Sequence, residues 1–419
     1  MDKPTVTRAS VRRLIAFVTF SVAAASCAGQ PMQVPESMPS PTSTARAGSP
    51  SGTAAPRPTF APTATPRPST GLVAGSWTIE TILPEFEVRD LAVTSGQIVA
   101  IGCRVPNGAT ACAGAAIETS IDGGWVPARL EGDTERVELA AVGAGAGGFV
   151  AVGRVFGSEG AILHGVAFAS SDGRTWRRAP EQASLEGRTF VDVVARPGRG
   201  WIAVGARVGP TVLIGIDTWS SSDGSIWTLI GSLQDDGLAR GVTMYGGGFI
   251  AWGTDCPDVC GPPKRAALWM SKDGNAWARV PDQPALVGGQ IDAVIEMSGG
   301  ALAVGTTYDD DGIGSGAAWR TADGTSWTRV ALPDSSGHQS FRLASTTVGY
   351  VTVGARSGDN GSVWGTWSSS DGATWRRLPG ADVRSGTLEL VASDPGVIGV
   401  ALPAPAERSD SHVLRLGLQ

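Results

Sequence analysis

Apolar residues from about position 85 onwards occur in short runs separated by glycine-rich turns, and each run has the length and composition of a β-strand. One such series comprises Phe190 to Ala195, Trp201 to Gly205, Leu213 to Ser221 and Ile226 to Leu229. The intervals between these runs are too short for a crossover helix, so consecutive strands should pair antiparallel. The pattern therefore predicts a series of four-stranded antiparallel meanders.

The strand pattern repeats around an Asp-Gly turn that is followed by tryptophan. Residues 170–176 are Ser-Ser-Asp-Gly-Arg-Thr-Trp, and the aspartates of the related stretches are 50, 51, 50, 50 and 48 residues apart. Such a fixed period indicates a repeat architecture. An Asp-Gly pair between two strands predicts a hairpin in which both residues adopt positive φ. The turn aspartates are Asp122, in a shortened copy, Asp172, Asp223, Asp273, Asp323 and Asp371.

The two ends of the repeat region predict the number of units. Residues 73–419 have room for seven units of about 50 residues, although only six Asp-Gly turns are present. The C-terminal part supplies three strands without a fourth, and Ser76 to Glu80 have the pattern of a lone fourth strand. We therefore predict an all-β, seven-bladed β-propeller of four-stranded antiparallel blades, closed by the N-terminal strand joining the last blade. Rings of six or eight blades are the alternatives.

Tryptophan occurs 14 times. Six copies follow the Asp-Gly turns, four lie four residues before a turn aspartate, and Trp77 and Trp201 occupy other repeat positions. Residues that recur once per unit predict packing between units rather than stacking platforms for sugars. Only Trp252 and Trp364 fall outside the repeat.

The N-terminal part differs in composition from the repeats. Basic residues precede an apolar run from Leu14 to Ala25, which predicts an export signal. The run ends in Ala-Ala-Ser-Cys at 24–27 and resembles the bacterial lipobox, so Cys27 is the expected lipidation site and residues 1–27 the signal peptide; ordinary secretion is the alternative. Residues 28–72 are rich in Pro, Ser, Thr and Ala, which predicts a disordered linker, and 73–419 form the propeller.

Charge limits the class of partner. The whole chain has a net charge of −6, and residues 73–419 contain 26 basic and 37 acidic groups. This balance disfavours nucleic acid and anionic lipid as partners. We expect a monomer that reaches the membrane through its lipid anchor only, on the extracytoplasmic face, and that binds a protein or a glycan.

Four of the five cysteines bracket loops of the repeat region. In an exported protein, the spacing of Cys103 and Cys112, and of Cys256 and Cys260, predicts two local disulfides. A four-thiolate zinc site is the alternative.

Charged residues near the start of each first strand form a second candidate site. They occupy equivalent positions in the repeat, and because the first strand is innermost in a propeller, their side chains should form a ring beside the central channel. The set is a candidate channel-mouth binding site; inter-blade salt bridges and hydrogen bonds are the structural alternative. The residues are Asp90, Glu138, Asp192, Arg240, Asp292, Arg342 and Glu389. The acidic loop that contains Asp309 and Asp311 is a weak Ca²⁺ candidate, because it lacks further ligands in sequence. No other metal site and no cofactor are expected.

At the Asp-Gly turns the chain resembles the Asp-box, or bacterial neuraminidase repeat, family, whose motif is Ser/Thr-x-Asp-x-Gly-x-Thr-Trp. Here the glycine directly follows the aspartate, so the turn is one residue shorter. The resemblance covers residues 73–419 and implies a β-propeller in which the box is structural and lies opposite the active site. The family includes sialidases, other glycosidases, protein-binding receptor ectodomains and assembly factors.

The resemblance implies no catalytic residue in this chain. A sialidase of this family needs three arginines around a carboxylate, an acid/base residue and a tyrosine activated by a glutamate. The early Arg-Ile-Pro segment is missing, and the only tyrosines are Tyr245, Tyr308 and Tyr350. The sequence therefore favours a non-catalytic, membrane-tethered binding propeller that presents a variable loop face. A sialidase-like glycoside hydrolase and an envelope assembly factor are the alternatives.

Overall fold

The computed structural model describes residues 76–417 except 95, 107–108, 110–111, 197, 199, 210–212, 235–236, 256–264, 359–360, 394–395 and 404–409. The predicted signal peptide, the lipidation site Cys27 and the linker lie outside the described residues. Among the residues described, none belongs to a helix that has the length and apolarity needed to cross a membrane.

The described chain consists of β-strands joined by turns and two short 3-10 turns. The first strands are β1 (Thr78–Leu83), β2 (Phe86–Thr94), β3 (Gln97–Arg104), β4 (Gly114–Ile121), β5 (Gly124–Pro127) and β6 (Arg129–Glu131). They are followed by β7 (Val137–Gly145), β8 (Gly148–Phe156), β9 (Ile162–Ser170), β10 (Thr175–Arg178), β11 (Arg188–Ala195), β12 (Trp201–Val208), β13 (Leu213–Ser221) and β14 (Thr228–Gln234). Next come β15 (Leu238–Tyr245), β16 (Gly248–Asp255), β17 (Arg265–Ser271), β18 (Trp277–Arg279), β19 (Gly289–Met297), β20 (Gly300–Tyr308), β21 (Gly314–Thr321) and β22 (Thr328–Ser336). The last are β23 (His338–Thr346), β24 (Gly349–Gly358), β25 (Gly361–Ser369), β26 (Arg376–Arg377), β27 (Val383–Ser393), β28 (Gly396–Pro403) and β29 (Ser411–Gly417).

Consecutive strands pair antiparallel in groups of four, as the sequence predicts. These groups are β2–β5, β7–β10, β11–β14, β15–β18, β19–β22 and β23–β26. The strands β27, β28 and β29 form a further antiparallel series, and β1 pairs with β29. Additional pairing between some groups leaves five hydrogen-bonded sheets. The prediction of an all-β fold is thus confirmed.

The first strands of the groups pack side by side. Each of β2, β7, β11, β15, β19 and β23 contacts the first strand of the next group, and β27 contacts β2. Each has a β-bulge near its N-terminal end, for example between Val88 and Asp90 in β2 and between Phe190 and Asp192 in β11. A bulge turns the following side chain out of the regular alternation and increases local twist.

The Asp-Gly turns differ from the predicted hairpin at all but the first copy. Only Asp122 and Gly123 both have positive φ, at 50° and 81°. In the later copies the aspartate accepts hydrogen bonds instead, as where Asp172 Oδ1 accepts from the backbone N–H groups of Arg174 and Thr175 at 2.8 and 2.9 Å. The Ser170 hydroxyl accepts from the Gly173 N–H at 2.9 Å. The short polar side chains therefore satisfy the turn amides, and the aspartate needs no strained backbone.

The tryptophans pack in the core, including the two that fall outside the repeat. Trp176, Trp219 and Trp319 are fully buried, and Trp252 and Trp364 are buried as well. Most indole N–H groups with a described partner donate to a backbone carbonyl, as Trp176 does to Gly173 O at 3.0 Å, whereas the buried N–H of Trp252 has no acceptor among the described residues. This placement confirms the packing role and leaves no exposed tryptophan in the described part of the chain.

The connections between groups are of two kinds, which alternate along the chain. Each kind therefore recurs about every 100 residues, which is twice the 50-residue spacing of the Asp-Gly turns. After the short strands β10, β18 and β26 the chain turns at Pro180, Pro281 and Pro379, whereas β14 and β22 run on almost to the next first strand. Two of the proline connectors contain a glutamine that contacts the next group. Gln182 Oε1 accepts from the Trp227 N–H at 2.7 Å, and its amide donates to Ser225 O at 2.9 Å. Gln283 makes the same two contacts one period later, with Trp327 and Thr325.

Candidate functional site

The sheets have two different ends. We call the end that holds the loops between second and third strands, together with the connectors between groups, the loop face. The opposite end, which holds the Asp-Gly turns, is the turn face. The first strands start at the loop face, so the charged residues predicted to form a channel-mouth site lie towards that end.

Three of the predicted aspartates bridge neighbouring groups through the same contact. Asp90 Oδ2 accepts a hydrogen bond from the backbone N–H of Val142 at 2.8 Å. Asp192 Oδ2 accepts from Val242 N–H at 2.9 Å, and Asp292 Oδ2 from Phe341 N–H at 3.0 Å. The three aspartates are about 100 residues apart, in step with the two connector types. Each one therefore attaches its own first strand to the first strand that follows.

The environment of two of these carboxylates, Asp90 and Asp192, changes their protonation. Burial raises the pKa of Asp192 to about 7, and the hydrogen bonds donated by the N–H groups of Val242 and Val193 partly oppose this rise. Burial also raises the pKa of Asp90 well above its usual range, and the negative charges of Glu389 and Asp192 add to the effect. A carboxyl group that keeps its proton near neutral pH is suited to donating it or to holding a neutral interface.

The remaining predicted channel residues form pairs. Arg342 contacts Glu389 through two hydrogen bonds of 2.5 and 2.7 Å. Burial lowers the pKa of Arg342, but the combined attraction of Glu389, Asp292 and Asp90 outweighs burial, so the pKa is raised. Arg240 donates to Gln290 Oε1 at 2.9 Å. Glu138 pairs with Arg154 of the same group. The structural alternative, ion pairs and hydrogen bonds between groups, thus describes most of these contacts.

The predicted equivalence of these seven positions is wrong in detail. Asp90 and Asp192 lie one residue past the bulge, opposite Ile101 and Val204. Asp292 occupies the bulge itself, between Ile291 and Ala293. Arg342 shares the position of Asp90, and Arg240 shares that of Asp292. Glu138, by contrast, lies before the bulge, opposite Arg154, and Glu389 lies farther past it, opposite Val400. The bulges shift the register, so a linear alignment of the units cannot place the side chains.

Arginines near the loop face have carboxylate partners. Arg188 and Arg207 lie 3.0 and 3.9 Å from the buried Asp217. Arg104 lies 3.3 Å from the buried Glu118. A carboxylate ligand that approached these guanidinium groups would compete with an internal partner.

Tyr308 is the tyrosine closest to the charged residues. Burial raises its pKa, the negative charge of Asp292 adds to the rise, and the positive charge of Arg240 opposes it. Its hydroxyl lies 3.5 Å from Gln339 Oε1. A nucleophilic tyrosine needs a base that favours its ionised form, so this environment does not activate Tyr308.

The structure contains the first of the two predicted disulfides. Cys103 and Cys112 are bonded, with Cα atoms 5.6 Å apart. Both sulfurs are consumed in this bond, so neither is a thiolate that could serve the alternative four-thiolate zinc site. Cys256 and Cys260 lie outside the described residues, so their bond stays a prediction.

The acidic loop after β20 uses one carboxylate internally. Asp309 Oδ1 accepts from the Ile313 N–H at 2.7 Å, which closes the turn. Asp311 is exposed. Within the described ranges, the one close trio of metal-donor residues is Glu87 with the bonded Cys103 and Cys112. The Ca²⁺ site at Asp309 and Asp311 remains a weak prediction.

Exposed aliphatic side chains at the loop face were missed by the sequence reasoning. Leu163 is the second residue of β9, Val208 ends β12, and Ile313 precedes β21; all three are exposed. Each lies beside a variable loop, and this position is the sequence feature that could have indicated a role in binding. Exposure itself depends on how neighbouring loops fold over a residue, and that cannot be deduced from the local sequence.

No protein-family model matches the chain, and no curated protein matches it. Solved structures do match, and those compared below are β-propeller proteins, which agrees with the succession of antiparallel groups described above.

Three of these structures show the extent of the similarity. A structure of YCF48 bound to D1 peptide is 15% identical, covers 81% of this chain and 95% of that chain, and superposes with a TM-score of 0.51. Phage phi92 endosialidase is 12% identical, with 83% and 70% covered and a TM-score of 0.49. The α-L-arabinofuranosidase Arb93A from Fusarium graminearum is 12% identical, with 82% and 98% covered and a TM-score of 0.44. At these identities the similarity concerns the fold alone.

Proposed function

We propose that the chain is a seven-bladed, closed β-propeller that binds a protein partner at its loop face and catalyses no reaction. The ring is supported by the pairing of β1 with β29 and by the contact between β27 and β2. In this ring β1 is the outer strand of the last blade. Such closure leaves only short outer edges exposed.

One observation carries the assignment to protein binding. Near the loop face several arginines are engaged within the chain, as in the pairs Arg188–Asp217 and Arg342–Glu389, whereas Leu163, Val208 and Ile313 are exposed. Desolvating a paired charge costs free energy, while covering an exposed aliphatic side chain releases it. These arginines are thus not free to bind a charged glycan, and the exposed apolar groups suit a protein surface better than a glycan.

The YCF48 structure gives a parallel for this mode of binding. That protein was solved with a D1 peptide bound, and it has the fold that this chain resembles. A propeller of this architecture therefore accommodates a peptide ligand. We extend peptide or protein recognition to this chain as part of the proposal.

The anchor completes the proposed role. Cys27 is lipidated after export, and residues 28–72 hold the propeller away from the extracytoplasmic face of the membrane. A Pro-rich segment of this length spans on the order of 100 Å in polyproline geometry. The loops would then meet partners well beyond the lipid headgroups.

A glycoside hydrolase is the second candidate, and Asp192 favours it. A carboxyl group with a pKa of about 7 can act as a general acid near neutral pH. Asp90 and Glu389 lie close enough to influence each other electrostatically. However, both Asp192 oxygens accept backbone N–H groups, from Val193 and Val242.

The two candidates are separated by assaying the full-length chain on a panel of fluorogenic sialosides and arabinofuranosides, beside a glycan array and an array of peptides. We expect bound peptides, no bound glycan and no turnover. Turnover that is abolished in Asp192→Asn but retained in Asp323→Asn, a change at the turn face, would refute the non-catalytic role. Binding to glycans without any peptide would instead replace the protein partner with a carbohydrate.

A further inference from the structure

A pocket opens at the turn face between the β7–β10 and β11–β14 groups. It has a volume of about 400 Å³, and its lining includes Gly147 of the turn after β7, Ala169 of β9, Trp201 of β12 and the turn aspartates Asp172 and Asp223. We call it the turn-face pocket. It lies at the opposite end of the sheets from the loop face, so the proposed partner at that face does not account for it.

The corresponding place one junction earlier is filled by a side-chain amide of the protein itself. Gln97 begins β3, and its Nε2 donates to the backbone carbonyl of Asp172 in the next group at 2.9 Å. The same nitrogen donates to the Thr119 hydroxyl, also at 2.9 Å. A primary amide therefore joins the β2–β5 group to the Asp-Gly turn of the group that follows.

At the turn-face pocket the chain supplies no such amide. In the register of the strands, Gly148 takes the place of Gln97, and Ala169 takes that of Thr119. The carbonyl of Asp223, which corresponds to that of Asp172, accepts no hydrogen bond from a described residue. The turn-face pocket is thus the counterpart of the position that the Gln97 amide fills.

Trp201 adds a buried donor to the turn-face pocket. Its side chain packs inward, since a Cβ at Gly143 would lie 3.1 Å from its Cζ3 and a Cβ at Gly145 would lie 3.6 Å from its Cη2. The opposite edge faces the Asp-Gly turn, where a Cβ at Gly224 would lie 3.5 Å from Nε1. Trp201 is 5% exposed, and its indole N–H has no acceptor among the described residues. A buried donor of this kind favours a ligand that can accept a hydrogen bond.

The charges around the turn-face pocket disfavour an anion. Hydrogen bonds from the turn, first among them that of the Thr175 N–H, lower the pKa of Asp172. Burial opposes the same effect at Asp223, but hydrogen bonds from its turn outweigh burial and lower the pKa there as well. The arginine in the lining, Arg177, is paired with Glu131 at 3.1 Å. A carboxylate ligand would therefore meet two ionised carboxylates.

Two further classes of ligand fit poorly. Lysine and arginine side chains have no acceptor for the Trp201 N–H. A sugar would find no aromatic face on which to stack, because Trp201 and Phe149 are only 5% and 3% exposed. A primary carboxamide is neutral and carries both an acceptor oxygen and two N–H donors. It is also the group that the protein itself places at the preceding junction.

We propose that the turn-face pocket binds the primary carboxamide of a glutamine or asparagine side chain that a peptide segment presents. The carboxamide oxygen accepts from the Trp201 N–H, and its amino group donates to the Asp223 carbonyl, as Gln97 donates to Asp172. This site goes beyond the proposed function, because it lies at the other face and does not depend on binding at the loops.

The next junction offers a matched control. Arg196 Nη2 donates to the carbonyl of Asp273 at 2.8 Å and so replaces the amide between the β11–β14 and β15–β18 groups. Phe249 stands there in the place of Trp201, since the two residues pair with Ser271 and Ser221 in the same register. Arg196→Ala therefore frees a turn carbonyl at a junction that has no indole donor.

The test titrates the full-length chain with glutamine capped at both ends, followed by saturation-transfer difference NMR. Capped glutamate and capped lysine are the probe controls. We expect saturable binding of capped glutamine alone. Trp201→Phe keeps the ring but removes the donor, so it should weaken binding about fivefold or more. Ala169→Leu fills the turn-face pocket and should abolish binding, whereas Arg196→Ala should leave the affinity unchanged.

Each part of the proposal can fail separately. No saturable binding of capped glutamine, or equal binding of capped glutamate, overturns the carboxamide. Unchanged affinity in Trp201→Phe or in Ala169→Leu overturns the turn-face pocket as its site. Free glutamine that binds more tightly than the capped residue overturns the peptide as its source. Unfolding midpoints of all variants, measured in parallel, separate these outcomes from loss of the fold, and none of them bears on binding at the loop face.

Discussion

Asp192 accepts a hydrogen bond from the backbone N–H of Val242, a residue 50 positions away in the next group, at 2.9 Å. A carboxyl group with a pKa of about 7 thus joins two first strands. Asp90 and Asp292 make the same kind of contact. The junctions held by these three carboxyl groups therefore differ chemically from the junctions held by the amides of Gln182 and Gln283.

We expect the stability of the protein to fall as pH rises towards 7. The folded pKa of Asp192 lies above the value near 4 of an unfolded aspartate, so the folded state holds a proton that the unfolded state has released. The stabilising contribution of Asp192 is fully present below about pH 4, and it is lost as pH rises through the pKa of the folded state. Three pKa units correspond to about 4 kcal/mol, and residual solvent contact of the side chain reduces this to about 2 kcal/mol.

Urea unfolding between pH 4 and 8 measures this slope. Asp192→Asn removes the titrating group and should flatten the slope, with a loss of about 1 kcal/mol at low pH because one amide acceptor disappears. Asp292→Asn is the control, since it removes an equivalent junction contact. A slope that is identical in the wild type and Asp192→Asn would assign the pH dependence to other groups.

Gly224→Ala should destabilise the protein more than Gly123→Ala. Both glycines have φ near 80°, so both changes introduce backbone strain of about 1 kcal/mol. A Cβ at Gly224 would lie 2.4 Å from Val150 Cγ2 of the preceding group, whereas a Cβ at Gly123 meets nothing within 4 Å. We expect an additional loss of about 1–3 kcal/mol at Gly224, measured as a lower urea midpoint with an unchanged m-value. Equal losses would mean that the turn glycine does not pack against its neighbour.

Gln182→Ala should cost about 1–3 kcal/mol, because the Trp227 N–H and the Ser225 carbonyl both lose their partner. Gln283→Ala should cost a similar amount at the next proline connector. Glu181→Gln, an exposed neighbour, is the control and should change the unfolding free energy by less than about 0.5 kcal/mol. Thermal unfolding followed by circular dichroism suffices for the measurement. An unchanged unfolding midpoint in Gln182→Ala would show that the amide contacts of Gln182 do not stabilise the protein.

Mass spectrometry of the non-reduced protein should show Cys103 joined to Cys112 and Cys256 joined to Cys260. Replacing Cys103 and Cys112 with alanine should cost about 2 kcal/mol, because the bond closes a short loop and limits the unfolded chain. Free thiols at Cys256 and Cys260 would contradict the second pair.

The architecture could be predicted largely because it repeats. Trp176 and Asp172 recur once per unit, so their spacing indicates the strand order before any contact is known. The spacing of Pro180 and Pro281 indicates the two-unit period, but the 50-residue pattern is the stronger signal in the sequence and obscures it. Such a period in connectors is weak in sequence because it involves few residues.

The candidate sites were harder to predict. Grouping Asp90 with Glu138 assumed a constant register, but Asp90 lies just past the bulge of its strand, whereas Glu138 lies before the bulge of its own. Whether Leu163 is covered depends on Gly187 and the loop before β9, which are contacts between units. Alignment of repeats predicts what the units share, whereas a binding surface arises from their differences.

The pairing of β1 with β29 also affects how the protein is made. The Thr78 hydroxyl donates to the carbonyl of Arg415, 337 residues later. Strand β1 must therefore wait until β29 has left the ribosome before it finds its partner. A truncated or stalled product cannot complete this last sheet, so its unsealed edge would mark it for proteolysis, and only the finished chain would persist.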